Sequence, residues 1–546
     1  MKFINTNNLI SENQIGFKEK ARTADHIFSL KSIVDKYKTK KKKIFAAFID
    51  LRKAFDTVWR EGLFYILLQN RLPGKLFNVI QSMYNDNKCR IKFQNGISHE
   101  FISNCGVKQG DVLSPTLFNI YINGLVNDLD HANTQPIIIG DVKLTSLLYA
   151  DDIILLSETQ EGLQNALNEL TKFCSLWKLD VNKQKSKIII FNSNGKSHCN
   201  YFKVEKEHLE TVKSICYLGI TINCSGSLNH SKKNLMEKGR KAWFKIKKTV
   251  SLDNSCSMLE KLFDTLVVPI TLYGSEVWGV SQVFKDSDPF EHLHIKFIKE
   301  ILGVQCKTTN VACLTETNRI PLYFKIQLSA IKFLNHIVNS PNTLVHKIYN
   351  NVEKTSKWVN IVKDWLNKLG FGHLTFNTFN LKYHINSIQQ RIYDQAYQIM
   401  NCSINKCEKL NFFCHTKRIR KRPPYIDICK FKTDRSVFSK FKLSAHSLAI
   451  ERGRYTNIER SKRICLSCNR QEIEDEYHFF SICPCYKSLR DTYIQNINKN
   501  LNFNFIKLQS TITLNHLTVL LNSSLPVIIK ITIKYINDCL LLRTSV

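Results

Sequence analysis

Three aspartates stand where apolar runs stop. Asp50 closes IFAAFID (44–50), and Asp151-Asp152 interrupt LLYADDIILL (147–156). A carboxylate beside buried strand residues is costly unless something compensates it. Two adjacent aspartates repel each other, and a divalent cation is a common remedy. If the strand ending at Asp50 neighbours the hairpin that turns at Asp151-Asp152, three carboxylates converge. Such a set suits two Mg²⁺ ions about 4 Å apart, the arrangement for in-line phosphoryl transfer. The plainer reading of Asp-Asp is solvated turn chemistry. The apolar residues on both limbs argue for the metal site, because they bury the hairpin and hold its turn rigidly.

A second set of ligand-type residues is Cys465-x2-Cys468-x9-His478-x4-Cys483. Cys-x2-Cys puts two thiolates on one knuckle turn, and His478 and Cys483 can close a tetrahedral zinc site. Cys485 is an alternative to Cys483, and free buried cysteines are the competing reading of the whole set. Cys402, Cys407, Cys414 and His415 form a looser cluster that reads as structural.

The elements that must position these residues follow from hydrophobic period. Residues 44–50 suit a buried strand, and 147–156 read as strand, tight turn, strand. Residues 60–90 read as helix, with Leu63, Ile66, Leu67, Leu76, Ile80 and Met83 apolar. Ser114-Pro115 is a helix start, serine as cap and proline at the first helical position. Leu163, Ala166, Leu167, Leu170, Cys174 and Trp177 keep helical spacing, and 188–191 and 215–222 are strand candidates. From about Asn229 onward the pattern is mostly helical. Lys40 to Lys43 and 417–424 (KRIRKRPP) are basic runs. They suit phosphate contacts, a nuclear import signal or a solvated surface equally well.

The chain has 546 residues, 43% hydrophobic and 11% aromatic, so it can bury a sizeable core. Its formal charge of +32 makes a nucleic acid the natural partner, with a membrane surface second. The Lys-, Asn- and Ile-rich composition of an AT-rich gene also yields such a charge. No apolar run reaches the roughly 18 residues that span a bilayer, and the start lacks the apolar core of a secretory signal. The 18 cysteines are therefore expected as reduced thiols or metal ligands in a cytoplasmic and nuclear protein.

Five blocks now fall in order: FIDLRKAFDTV (48–58), GVKQGDVLSPTLFNIYIN (106–123), LLYADDIILLS (147–157), LDVNKQKSKIIIF (179–191) and CYLGI (216–220). Together they resemble the reverse transcriptase of non-LTR (LINE-type) retrotransposons. The similarity extends upstream through LISENQIGFKEKARTADHIFSL (9–30) and downstream to LYGSEVWG (272–279) and the Cys/His block. It implies an α+β right-hand polymerase, with partial fingers, a palm with an antiparallel sheet and a helical thumb. A helical C-terminal region with a zinc knuckle would follow. The implied segments are fingers and palm 1–224, thumb 225–310, helical region 311–450, zinc knuckle 451–495 and helical tail 496–546.

The implied activity is RNA-directed DNA polymerisation, with an RNA template, a DNA primer, dNTPs, two Mg²⁺ and a structural Zn²⁺, and no membrane. By resemblance, Asp50 and Asp151 are the principal metal ligands with Asp152 beside them, and Asp56 is a structural residue. Phe55 matches the position under the incoming sugar that disfavours a 2′-hydroxyl; its plainer reading is a core Phe. Gln109 and Gly110 match the turn that meets template and nucleotide. Lys185 is the candidate cation for the triphosphate or pyrophosphate, against a solvated surface Lys. Tyr217, Leu218 and Gly219 match the primer-grip hairpin, against an ordinary strand and turn. Family members begin earlier, with an arginine-bearing block and often an apurinic-type endonuclease, so an N-terminally truncated copy with incomplete fingers is expected. The rivals are a catalytically dead nucleic-acid-binding relic and, disfavoured by Phe55, an RNA-directed RNA polymerase.

Overall fold

A computed structural model describes residues 2–85, 87–94, 96–191, 201–280, 288–374, 381–500 and 511–544. The chain divides into two compact units, each discontinuous in sequence. The first comprises 1–233, 274–281 and 330–381; the second comprises 234–273, 282–329 and 382–546. Residues 225–310 contribute to both units.

The first unit is built on a six-stranded sheet. Its strands are β1 (Ile44–Asp50), β2 (Ser146–Tyr149), β3 (Asp152–Ser157), β4 (Lys187–Phe191), β5 (Phe202–Val204) and β6 (Glu207–Thr211), in the order β5-β6-β4-β1-β3-β2. β1 is central and buried on both faces, which is why its sequence is a continuous apolar run rather than an alternation. Phe45, Ala47 and Ile49 share one core with Ile153, Leu155, Ile188 and Ile190. Leu163, Ala166, Leu167 and Leu170 cap that face from helix α4 (Gln160–Leu176), whose start is fixed by Thr159 accepting from Gly162 N–H. Each such buried aliphatic side chain contributes about 1.5–3 kcal/mol, so the strand ends are held by a rigid platform.

Four expectations change in detail. The sheet is not wholly antiparallel, since β4 and β6 pair in parallel. Residues 60–90 form two helices, α1 (Arg60–Gln69) and α2 (Gly74–Tyr84), then an extended segment at Lys88–Cys89. Pro73 cannot continue the first helix, and Arg71 takes a positive φ of 53° there. Helix α3 spans Ser114–Ile122 with Pro115 in its first turn, but its cap position is Leu113; Ser114 is buried against the Tyr84 hydroxyl instead. Residues 215–222 are a hairpin, β7 (Ser214–Tyr217) and β8 (Ile220–Asn223), turning at Leu218-Gly219.

The second unit is helical. Phe263 and Phe297 stack at 4.0 Å, and Arg319 grips Asp264 with two hydrogen bonds and donates to His294. The buried Lys442–Glu316 pair, at 2.8 Å, sits in the same unit. Among the described residues no single helix is long and apolar enough to cross a membrane. In the expected tail, Leu514–Leu521 and Pro526–Thr544 are helices, and residues 501–510 lie outside the described residues.

Candidate active site and zinc site

Strand register brings the aspartates together. Asp50, the last residue of β1, is the direct cross-strand partner of Asp152, the first residue of β3. Asp151 occupies the turn between β2 and β3. A cavity of about 320 Å³ is lined by Asp50, Phe55, Gln109, Asp151, Asn182 and Lys185 among others. Asp152 does not line it; it is the cross-strand partner of Asp50, which does.

Burial raises the Asp151 carboxyl above its usual range; its own backbone N–H offsets this in part, and the Asp50 charge adds to it. Asp152 still reaches solvent, but surrounding protein withdraws water from its carboxyl and the Asp151 and Asp50 charges oppose ionisation. Its pKa is pushed up to about 6. Like charges held this close are what a hard divalent cation with carboxylate ligands relieves. The donor set therefore fits Mg²⁺.

A pH dependence follows. With its folded pKa raised, Asp152 keeps its proton longer in the folded than in the unfolded chain. Stability falls as pH rises from the ordinary 3.8 to about 6. In chelator, the melting temperature of Asp152→Asn relative to wild type is expected to climb across that window, and Mg²⁺ is expected to narrow the gap. A difference that is flat with pH would contradict the crowding of charge.

The loop bearing Lys185 is zipped to Asp50. Asn182 N–H donates to Asp50 C=O at 2.8 Å, Asp50 N–H donates to Ser186 Oγ at 3.1 Å, and Leu51 bridges Val181. Lys185 Nζ stands 3.9 Å from Asp50 Oδ2 with 71% of its side chain exposed. It is an exposed cation on the rim of the cavity. Phe55 is half-buried, stacked on Phe118 at 4.7 Å while lining the cavity, so it is a packing residue and a cavity wall at once.

Gln109 Nε2 donates to Asp56 Oδ1 at 2.8 Å, which gives Asp56 the structural pairing expected of it. Gly110 has φ +85° with open space around it, suiting close approach by a ligand. The same loop starts at Gly106, where a Cβ would meet the Asp56 carbonyl oxygen at 2.6 Å. Buried Arg60, from α1, fixes the loop by donating to the Gly106 and Cys105 carbonyls. Tyr217, Leu218 and Gly219 do not line this cavity. They form the β7–β8 turn, with positive φ at Leu218 and Gly219. Tyr217 is buried, its hydroxyl bonds His26 Nδ1 at 3.0 Å, and it lies near enough to Asp152 for that charge to raise its pKa further after burial. Arg60 and His26 carry no motif that would have singled them out.

In the second unit, the metal-binding atoms of Cys465, Cys468, His478 and Cys483 all lie within 4.8 Å of one another. Cys468 lies inside the loop closed by Cys465 N–H donating to Glu472 C=O. His478 Nε2 faces Cys468 Sγ at 3.5 Å, while Nδ1 meets Glu472 Oε2 at 3.0 Å. That carboxylate orients the ring as outer partners of metal-bound histidines do. Three sulfurs and one imidazole fit tetrahedral zinc. Cys485 instead bonds the Ser467 carbonyl, and Cys414 weakly contacts Ile404 C=O and Asn405. Among the described residues this is the one group of three or more His, Cys, Asp or Glu side chains whose ligand atoms lie that close together; the carboxyl oxygens of Asp50, Asp151 and Asp152 are spread more widely. In the 417–424 run, Arg420 and Arg422 are paired with Asp394 and Glu260 at 2.7 and 2.6 Å, so these arginines are not a free comb for phosphates. Lys40 to Lys43 are exposed, with Lys42 near Glu158.

Residues 1–222 match the family described as reverse transcriptase (RNA-dependent DNA polymerase). These residues are a reverse transcriptase domain. The strands of the β5-β6-β4-β1-β3-β2 sheet lie within these residues, and the three aspartates sit at its β1–β3 end. The chain is 26% identical over 282 residues to a probable RNA-directed DNA polymerase from transposon BS of Drosophila melanogaster, covering 50% of this chain and 30% of that protein. It is 25% identical over 351 residues to the RNA-directed DNA polymerase from mobile element jockey of Drosophila funebris, 61% of this chain and 37% of that protein. Against a Pol polyprotein from the type-1 retrotransposable element R2 of Nasonia vitripennis it is 29% identical over 209 residues, 38% and 20% of the two chains. The matches thus span about a third of the first two relatives' own length.

Proposed function

We propose that this protein is an RNA-directed DNA polymerase of the non-LTR retrotransposon kind, copying an RNA template onto a DNA primer in the cytoplasm and nucleus. The observation that carries this reading is the Asp50–Asp152 pairing with Asp151 in the adjoining turn, beside a cavity walled by Phe55, Gln109 and Lys185. Asp50 and Asp151 would hold two Mg²⁺, with Asp152 alongside. When bound, such ions make a primer 3′-hydroxyl more nucleophilic and neutralise charge on the departing pyrophosphate. Phe55 occupies the space under the incoming sugar. Gln109, braced by Asp56, and the backbone of Gly110 face template and nucleotide. Lys185 swings onto the triphosphate, where a cation steadies developing negative charge. The Tyr217–Gly219 turn steadies the primer strand. The Cys465, Cys468, His478, Cys483 site would hold one structural Zn²⁺.

Labelled dTTP incorporation on poly(rA)·oligo(dT) tests this reading, with UTP on the same template and primer as the counter-assay. Wild type is expected to prefer the deoxynucleotide strongly. Phe55→Val is expected to narrow that preference by about ten- to a hundredfold, the scale of one lost steric contact. Its overall incorporation should fall less than its discrimination. Equal use of dNTP and rNTP by wild type would favour the RNA-polymerase rival.

A further inference from the structure

The turn that carries Asp151 contains a residue in an unfavourable conformation. Ala150 has φ +53°, in the left-handed region that residues with a Cβ rarely take, and it is 2% exposed. One side chain from far away in sequence satisfies both its backbone groups. Gln14, fully buried, accepts from Ala150 N–H through Oε1 at 2.9 Å and donates through Nε2 to Ala150 C=O at 3.2 Å. The same Oε1 accepts from Gly16 N–H at 2.8 Å, which aligns the amide.

The Gln14 segment is itself anchored beside β2. Ile15 N–H donates to Leu148 C=O at 3.0 Å, and Leu148 N–H donates to Asn13 C=O at 2.8 Å. Buried Asn119 of α3 donates to Gly16 C=O at 2.6 Å. A Cβ at Gly16 would stand 2.3 Å from Ala150 N, so the two backbones are in direct contact. Only an amide at position 14 serves both groups, because it offers one acceptor and one donor side by side. A carboxylate has no donor for Ala150 C=O and would add a negative charge beside the aspartates. A thioether of similar length leaves the buried N–H and C=O of Ala150 without partners.

We propose that Gln14 is a positioning residue, a two-point clamp that holds Ala150 left-handed and thereby aims Asp151 and Asp152 for cation binding. This rests on the polymerase reading for its catalytic consequence but not for its structural one. Two readouts on the full chain separate them: Mn²⁺ affinity by electron paramagnetic resonance, and kcat and KM for dTTP on poly(rA)·oligo(dT). Gln14→Met is expected to weaken Mn²⁺ binding about fivefold or more and to lower kcat about a hundredfold, with KM for dTTP and template–primer affinity within about twofold of wild type. Gln14→Met combined with Ala150→Gly is expected to regain part of both losses, since glycine takes the left-handed conformation without help.

Unchanged Mn²⁺ affinity in a Gln14→Met protein that melts cooperatively would overturn the proposal. So would a loss shared with cooperative melting that Ala150→Gly does not restore, because Gln14 would then be a general packing residue. A wild type that shows no incorporation, with Mn²⁺ binding still weakened by Gln14→Met, would reject the polymerase reading and leave the clamp standing.

Discussion

Asp151→Asn is expected to lower dNTP incorporation by about a thousandfold or more while leaving the melting temperature in chelator at or above that of wild type. Both halves come from the same crowding. Asp151 is held near Asp50 and Asp152, burial and the Asp50 charge raise its pKa, and in the absence of a cation these carboxylates oppose one another. Asparagine keeps the shape and removes one charge, so the fold loses a repulsion. The same change removes one of the carboxylate oxygens that would hold Mg²⁺, and effects of single preorganised charges on rate reach about 10²–10³ or beyond. Thermal melting in chelator beside single-nucleotide incorporation in Mg²⁺ checks the pair of effects. A drop in melting temperature matching the drop in activity would mean that Asp151 is needed for folding rather than for metal.

The second large effect concerns the Cys/His group. Cys465→Ser is expected to reduce zinc from one per chain to near zero, and to lower the melting temperature of the region around 463–486. Structural zinc in small knuckles contributes about 10 kcal/mol or more to the folding of the segment it closes. Cys485→Ser is expected to keep its zinc, because Cys485 bonds the Ser467 carbonyl while Cys483 faces Cys465 at 4.0 Å. Metal analysis of the purified variants decides it. Equal zinc in wild type and Cys465→Ser would sink the site, and zinc lost from Cys485→Ser but kept in Cys483→Ser would exchange the fourth ligand.

Much of the aspartate site was legible because its signals are local. A run buried on both faces, IFAAFID, admits few alternatives to a central strand, and apolar limbs around Asp151-Asp152 leave only a tight turn. The zinc group was legible from spacing for the same reason. The break at Pro73 is also local, although the apolar spacing of 63–83 runs through it as if one helix continued. What sequence did not disclose depends on long-range pairing. The parallel β4–β6 contact joins a clear apolar strand to one whose own pattern is weak, β6 being mostly exposed. Gln14 meets Ala150 across 136 residues, and His26 meets Tyr217 across 191. Neither pairing leaves a period or spacing to read. The interleaving of the two units along the chain is non-local in the same sense.

Primer extension tests the central claim most directly. Wild type and Asp50→Asn would be given an RNA template, an annealed DNA primer, dNTPs and Mg²⁺, with template–primer binding measured on the same preparations. The account predicts template-directed extension by wild type, none above background by Asp50→Asn, and equal binding by both. Tight binding without extension by wild type would contradict it and leave a reverse transcriptase domain that only binds nucleic acid.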